Sequence, residues 1–231
     1  MALSHALLRA VAAGERPPSA RIYRPGPTVA FGRLDTLHDG FSAARDAAAA
    51  RGWAPLLRLG GGRAAAYDEG SVVVELVTAT TASAAGLQER FADGVAIVTG
   101  ALGRLAVSAE VGELPGEYCP GRWSVHLPGG PKIAGAAQRS VRGASLVTAV
   151  VVVEGGARVR EVLVDVYAAL ATAWAPATAG AVADHHPDVG ATQVVDALVA
   201  ELARAHPGLV GVSPDAALLA AARTLAPRHA R

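Results

Sequence analysis

Two runs of β-branched residues constrain this chain more than anything else in it. One is residues 71–77, carrying Val72-Val73-Val74; the other is residues 144–153, ending on Val150-Val151-Val152-Val153. β-branched side chains favour extended backbone, and a strand apolar at successive positions is buried on both faces. Neither run reaches the roughly 18 uninterrupted apolar residues of a membrane span. The chain must therefore build a sheet with apolar cover on each side.

Segments with helical spacing can supply that cover. Leu3, Leu7 and Ala10 share a face over residues 3–13, ended by Gly14, and residues 40–51 are an alanine-rich helix closed by Gly52. Residues 84–104 space Leu87, Phe91, Val95, Val98 and Leu102 as a long helix, and residues 159–173 do so with Val162, Val166 and Leu170. Thr192 reads as the cap of a helix carrying Val195, Leu198, Val199 and Leu202 that Pro207 stops. Ser213-Pro214-Asp215 reads as cap, first-turn proline and first-turn acid ahead of Leu218 and Leu219. Shorter strands are expected at 21–24, 28–31, 54–58, 64–67 and 107–111, and a hairpin pairs 122–127 with 132–139 around Pro128-Gly129-Gly130-Pro131. The fold class is α+β (α/β): a mixed central β-sheet flanked by helices, with residues 1–190 as the body and 191–231 as a helical C-terminal extension.

Composition narrows the function. A formal charge of +1 removes any bulk electrostatic case for nucleic acid or a membrane surface. One cysteine in 231 residues excludes an internal disulfide framework and fits a reducing cytoplasm. Residues 1–13 carry His5 and Arg9 in a short apolar pattern with no cleavage signature behind it, so no secretory leader is expected.

That cysteine, Cys119, lies in Gly116-Glu117-Tyr118-Cys119-Pro120-Gly121-Arg122-Trp123, thirteen residues before Lys132, the one lysine among 21 basic residues. A thiol needs a nearby cation to ionise at neutral pH, and a lysine supplies one. Pro120 disfavours helical geometry at Cys119, which makes it a loop thiol. Cysteine is also a common small core residue, and a lysine after a turn is commonly solvated, so spacing leaves both readings open. Gly60-Gly61-Gly62 lies between two expected strands and lacks the Gly-Lys-Ser/Thr and following helix of a phosphate loop. It is either a tight turn or a place where backbone approaches a ligand closely. Asp184-His185-His186-Pro187-Asp188 reads as loop rather than as metal ligands, because adjacent histidines point apart.

Longer runs add a resemblance. Arg58-Leu59-Gly60-Gly61-Gly62, then Tyr67-Asp68-Glu69-Gly70, then Lys132-Ile133-Ala134-Gly135-Ala136-Ala137-Gln138-Arg139 resemble the lipoate–protein ligase, octanoyltransferase and biotin ligase superfamily over about residues 20–180. With Tyr118-Cys119-Pro120-Gly121, the chain looks most like the branch that relays octanoyl groups from the glycine cleavage H protein to lipoyl domains. The resemblance implies a catalytic domain over 1–190, Cys119 carrying an acyl thioester and Lys132 supporting it. It implies Arg58, Gly60, Gly61, Gly62, Asp68, Gly135, Gln138 and Arg139 as substrate-binding residues. It further implies octanoyl or lipoyl as the transferred group, no required cofactor and no metal. The implied partners are lipoyl-domain proteins (glycine cleavage H protein, 2-oxoacid dehydrogenase acyltransferase subunits) and acyl carrier protein. ATP-using ligases commonly place a His before the Asp and a His-Gly pair in the later strand; Tyr67 and Ala144-Ser145-Leu146 stand there instead. The alternatives are an ATP-dependent ligase working through an acyl-adenylate and a non-catalytic binder of acylated carrier domains. The small residues 60–62 and 64–66 are expected to line an acyl tunnel.

Overall fold

The two valine-rich runs pair with one another. β5 (Ser71–Thr80) and β9 (Gly143–Val152) run antiparallel from Ser71 opposite Val152 to Thr80 opposite Gly143. They are the middle of a six-stranded sheet in the order β1-β5-β9-β8-β7-β6, where β1 is Ser19–Tyr23, β6 Glu110–Val111, β7 Val125–His126 and β8 Lys132–Val141. Every pairing in that sheet is antiparallel. A second, three-stranded sheet has β2 (Thr28–Phe31) at its centre, parallel to β3 (Ala54–Leu57) and antiparallel to β4 (Ala65–Tyr67). The computed structural model describes residues 1–80 and 86–230.

Helices close the layers. α3 (Leu87–Arg104) and α5 (Ala191–Ala205) cover one face of the large sheet, where Val72, Val74, Leu76, Ala149 and Val151 meet Val98, Leu102, Val194 and Leu198. The other face is divided. α1 (Ala2–Ala12) and α6 (Ala216–Leu225) pack over Val77, Ala144 and Leu146 at one end. At the other end Val152 meets the small sheet with α2 (Phe41–Ala50) and α4 (Gly156–Ala169). Residues 191–231, read as an extension, thus supply α5 to the largest apolar cluster and α6 to the packing of α1.

Several expected boundaries move for local reasons. The strand expected at 107–111 shrinks to Glu110–Val111, because Ala106 takes φ +57° and Val107 is buried as irregular chain. α5 begins at Ala191 with Gly190 as its cap, one residue before Thr192. The cap of α6 is Asp215, whose carboxylate accepts the Leu218 N–H at 2.9 Å, so Ser213 and Pro214 precede the helix. Asp is as good a cap as Ser, and here it sits nearer the first apolar turn. α3 starts at Leu87 after Gly86 at φ +70°; residues 84 and 85 of the expected helix lie outside the described residues.

Candidate active site

Between the second face of the large sheet and the small sheet lies a cavity of about 470 Å³. Its floor is the cavity-facing set of β9, Leu146, Thr148, Val150 and Val152. Its opposite wall is Ala65, Ala66 and Tyr67 of β4 with the turn at residues 58–62. Small and apolar residues dominate, as expected of an acyl tunnel; Ala64 is fully buried behind this wall.

Cys119 stands at one end. Its backbone takes φ +42°, in the left-handed region that a residue with a Cβ adopts at a cost. Two contacts hold it there. The Cys119 N–H donates to the Tyr167 hydroxyl at 2.7 Å, and that hydroxyl donates to the Ala64 carbonyl at 3.0 Å, tying the loop to α4 and the small sheet. The thiol faces Arg58, whose Nη2 lies 3.2 Å from Sγ and donates to the Arg63 carbonyl at 2.7 Å. Burial pushes the Cys119 thiol up, but the Arg58 and Lys132 cations and the Arg58 hydrogen bond outweigh it and hold its pKa below the ordinary value.

Lys132 acts on the loop more than on the sulfur. Its Nζ donates to the Tyr118 and Cys119 carbonyls, both at 3.0 Å, and lies 3.4 Å from Glu117 Oε2 and 4.6 Å from the Tyr118 ring centre. Burial lowers the Lys132 pKa, and Cys119 and Glu117 pull it back only in part. Glu117 is itself buried; its Oε1 accepts from the Ser124 hydroxyl at 2.7 Å and the Gly121 N–H at 3.0 Å, so it closes the loop around Cys119. Arg58, read as a substrate-binding residue, is therefore the cation in contact with the thiol, and Lys132 is the ammonium that pins its backbone.

A bulge puts Lys132 in place. Val125 pairs with Ala134 while His126 pairs with Lys132, so Ile133 is an extra residue on β8. Gly135 and Ala137 face the cavity, and strict alternation would turn Lys132 to the opposite face. The bulge instead sends Ile133 and Ala134 together into the α3–α5 core and returns Lys132 to the cavity side.

The glycine turn is a steric requirement of this site. A Cβ on Gly62, at φ +91°, would lie 2.5 Å from Arg58 Nη2 and 2.8 Å from Cys119 Sγ. One on Gly60 would lie 2.7 Å from the Ala137 Cβ, because the turn lies across β8; a Cβ on Gly61 meets nothing within 4 Å. One on Gly135 would lie 3.2 Å from Lys132 Cε. Gln138 borders the cavity, but its amide lies on the α3 side of β8, against the Ser145 and Ser140 hydroxyls at 2.8 and 3.3 Å.

Two expected site residues are not brought to the cavity. Asp68 is buried at the turn into β5, accepting from the Gly70 N–H at 2.9 Å and pairing with Arg158 at 2.7 Å. Arg139 pairs in register with Leu146 at the far end of the cavity floor, but it does not line the cavity and is exposed near His5. Residue reading missed Tyr167 and the role of Glu117. Glu117 sat in the singled-out loop, two residues before the thiol; Tyr167 follows the apolar Val166 on a helix and carried no signal of its own.

A paired-sheet α+β domain here gathers a thiol, a guanidinium and an ammonium at the end of an apolar cavity. Residues 1–203 match the family described as lipoyl protein ligase A/B catalytic domain, and the chain belongs to that family. Among curated relatives, the octanoyl-[GcvH]:protein N-octanoyltransferase of Geobacillus kaustophilus is 29% identical over 163 residues, 71% of this chain and 57% of that protein. The protein of the same name from Exiguobacterium sibiricum is 34% identical over 148 residues, 59% of this chain and 48% of its own. The chain spans about half the length of the curated relatives it matches. A lipoic-acid-bound structure of a lipoate protein ligase from T. acidophilum superposes with a TM-score of 0.75 at 22% identity, over 98% of this chain and 88% of that one. An ATP-bound lipoate-protein ligase A gives 0.73 at 22% identity, over 97% and 87%. At that identity the two structures establish the fold. Among the described residues no helix is long and apolar enough to cross a membrane.

Proposed function

We propose that this chain is an acyltransferase of protein lipoylation, moving an octanoyl or lipoyl group from a carrier protein to a lysine of a lipoyl domain through a Cys119 thioester. The observation that carries the reading is the Arg58 guanidinium 3.2 Å from Cys119 Sγ at the end of an apolar cavity. A core cysteine has no use for a buried cation, whereas a nucleophile that must be a thiolate at neutral pH does. The alignments to octanoyltransferases support the same assignment.

In the first step the Cys119 thiolate attacks the donor's acyl carbonyl, the donor's C–S or C–N bond breaks, and the departing thiolate or amine takes a proton. In the second, a neutral lysine amine of the acceptor attacks the Cys119 thioester. The amide forms, the amine's extra proton passes to solvent, and the Cys119 thiolate returns beside Arg58. Forming an amide from a thioester is downhill, so a thioester donor needs no ATP; an amide donor makes the exchange nearly thermoneutral. Lys132 keeps the loop carbonyls turned inward while Cys119 holds its left-handed backbone. Lipoyl-domain carriers, the glycine cleavage H protein and 2-oxoacid dehydrogenase acyltransferase subunits among them, are the partners, with acyl carrier protein as a further donor. The setting is the cytoplasm. Asp68 serves this site by bracing the β4–β5 turn.

Intact mass after incubation with an octanoylated carrier domain tests the proposal. One octanoyl adduct, absent in Cys119→Ala, is the expected result. Acid-dependent ATP–pyrophosphate exchange that persists in Cys119→Ala, with no adduct in the wild type, would overturn it in favour of a ligase.

A further inference from the structure

The tetrahedral intermediate of an acyl transfer carries its charge on the former carbonyl oxygen, so the site needs a donor aimed at that atom as well as at the sulfur. The nucleophile's own backbone N–H is a common choice. Here that group is engaged elsewhere: the Cys119 N–H donates to the Tyr167 hydroxyl at 2.7 Å. The rest of the loop has little to offer. Pro120 has no N–H, and the Gly121 N–H donates to Glu117 Oε1 at 3.0 Å. Lys132 directs its ammonium at the Tyr118 and Cys119 carbonyls, both at 3.0 Å, and at Glu117 Oε2 at 3.4 Å.

Arg58 is the exception. A guanidinium carries five N–H bonds in a planar fork. In Arg58 the two on Nη2 are engaged, one by Cys119 Sγ at 3.2 Å and one by the Arg63 carbonyl at 2.7 Å. Nε is buried without a partner, and among the described residues nothing accepts from Nη1. In the planar fork each Nη2 N–H runs parallel to a neighbour, one on Nε and the other on Nη1. Whichever of the two meets the sulfur, the N–H beside it is therefore unpartnered. A buried donor left unpaired is costly, and a ligand that brings an acceptor relieves that cost. The flow of charge leads to the same place. A cation fixed on the sulfur alone stabilises the thiolate before attack as much as after it, and so adds nothing to the rate of the chemical step. A fork spanning both atoms follows the charge from sulfur to oxygen.

Resting on the acyl-transfer reading above, we propose that Arg58 is the oxyanion donor of this site, holding the Cys119 sulfur and the acyl oxygen on two parallel N–H bonds as it would the two oxygens of a carboxylate. As the bond from Sγ to the acyl carbon forms, the carbonyl π pair moves onto oxygen beside the second N–H. It returns to carbon as the donor's C–S or C–N bond breaks and the departing group takes a proton. The same fork meets the oxygen again when the acceptor amine attacks the thioester.

The test sets acylation against alkylation. The N-acetylcysteamine thioester of octanoate acylates Cys119 through an oxyanion, whereas iodoacetamide alkylates it by direct displacement without one. Both need the thiolate, so the ratio of the two rates at one pH cancels the fraction ionised. Arg58→Lys keeps a charge and loses the fork. Followed by single-turnover intact mass, its acylation-to-alkylation ratio should fall roughly a hundred- to a thousandfold, the loss on removing one oxyanion donor. An unchanged ratio overturns the proposal and hands the oxygen to the backbone amides of the glycine turn, with acyl transfer still standing. If Arg58→Lys does not fold, the wild type decides through its donor: S-ethyl thiooctanoate is compared with ethyl dithiooctanoate, whose thiocarbonyl sulfur is a weak acceptor. With each rate divided by that of free cysteine, the dithioester should be about tenfold or more slower on the protein, and parity overturns the proposal. No adduct on wild-type Cys119 from the thioester counts against acyl transfer itself and removes the oxyanion role with it.

Discussion

The two faces of the six-stranded sheet are made by alternate residues of the same strands, yet they do different work. Along β5, Val72, Val74 and Leu76 turn to α3 and α5, while Ser71, Val73, Glu75 and Val77 turn the other way. Along β9, Ala149 and Val151 lie under α3, while Thr148, Val150 and Val152 floor the cavity. The first face is an apolar seam where Val72, Val74, Leu76, Ala149 and Val151 meet the two helices. The second carries charge at two places: half-buried Arg58 with buried Lys132 and Glu117 around the thiol, and half-buried Arg21 with buried Glu75 further along. Stability should therefore be concentrated on the first face and chemistry on the second, and substitutions can test whether that division is real.

Leu102→Ala bears on it most strongly. Leu102 is fully buried in the seam and touches nothing at the thiol. Truncating a buried leucine costs about 2–5 kcal/mol. Denaturant unfolding should show that loss, while the alkylation rate of Cys119 in the folded protein stays at the wild-type value. A changed rate would mean that the two faces are coupled through the sheet. Tyr167→Phe should be smaller in stability and larger in chemistry. It removes the hydroxyl joining the Cys119 N–H to the Ala64 carbonyl and leaves both groups without a partner, a cost of about 1–3 kcal/mol. Freed from that tether, Cys119 can relax from φ +42°, so the acylation rate should fall by about tenfold. Unfolding and single-turnover acylation on the same preparation separate the two effects.

How much of this was readable beforehand follows the same division. Periodicity located α1, α2, α3 and α4 to within a few residues and made β5 and β9 the centre, because a seam of valines and leucines is a local pattern. The glycine turn, Cys119 and Lys132 were also legible as residues. Their arrangement was not, because it depends on non-local geometry. A one-residue bulge at Ile133 decides which face Lys132 takes, and nothing in Lys132-Ile133-Ala134 announces it. Arg58 reaches the thiol across sixty-one positions of sequence. Glu75 hid inside an apolar run, and its burial becomes intelligible only once Ser4, Arg21 and Tyr23 are folded against it. Asp68 illustrates the converse, a motif residue whose side chain is committed to Arg158 outside the cavity.

Arg58→Gln tests the division at its finest, with the smallest expected effect. The thiol's ordinary pKa is 9.0, burial would raise it, and Arg58 is the largest influence holding it below that value. Removing the guanidinium leaves Lys132 as the remaining cation near the sulfur, and Lys132 is already engaged by two carbonyls and Glu117. The midpoint of the pH–alkylation profile should therefore move upward. If it moves by about one unit, the rate at neutral pH drops about tenfold, while the profiles converge once pH exceeds both values. Stability carries the matching sign. A thiol whose folded pKa is depressed stabilises the fold above the unfolded pKa, and that contribution is lost as pH falls through the folded pKa. The pH-dependent part of the wild-type advantage over Arg58→Gln should thus shrink as pH is lowered from the alkaline side. If the midpoint stays where it was, Arg58 is a structural cation, and the task of ionising Cys119 reverts to Lys132.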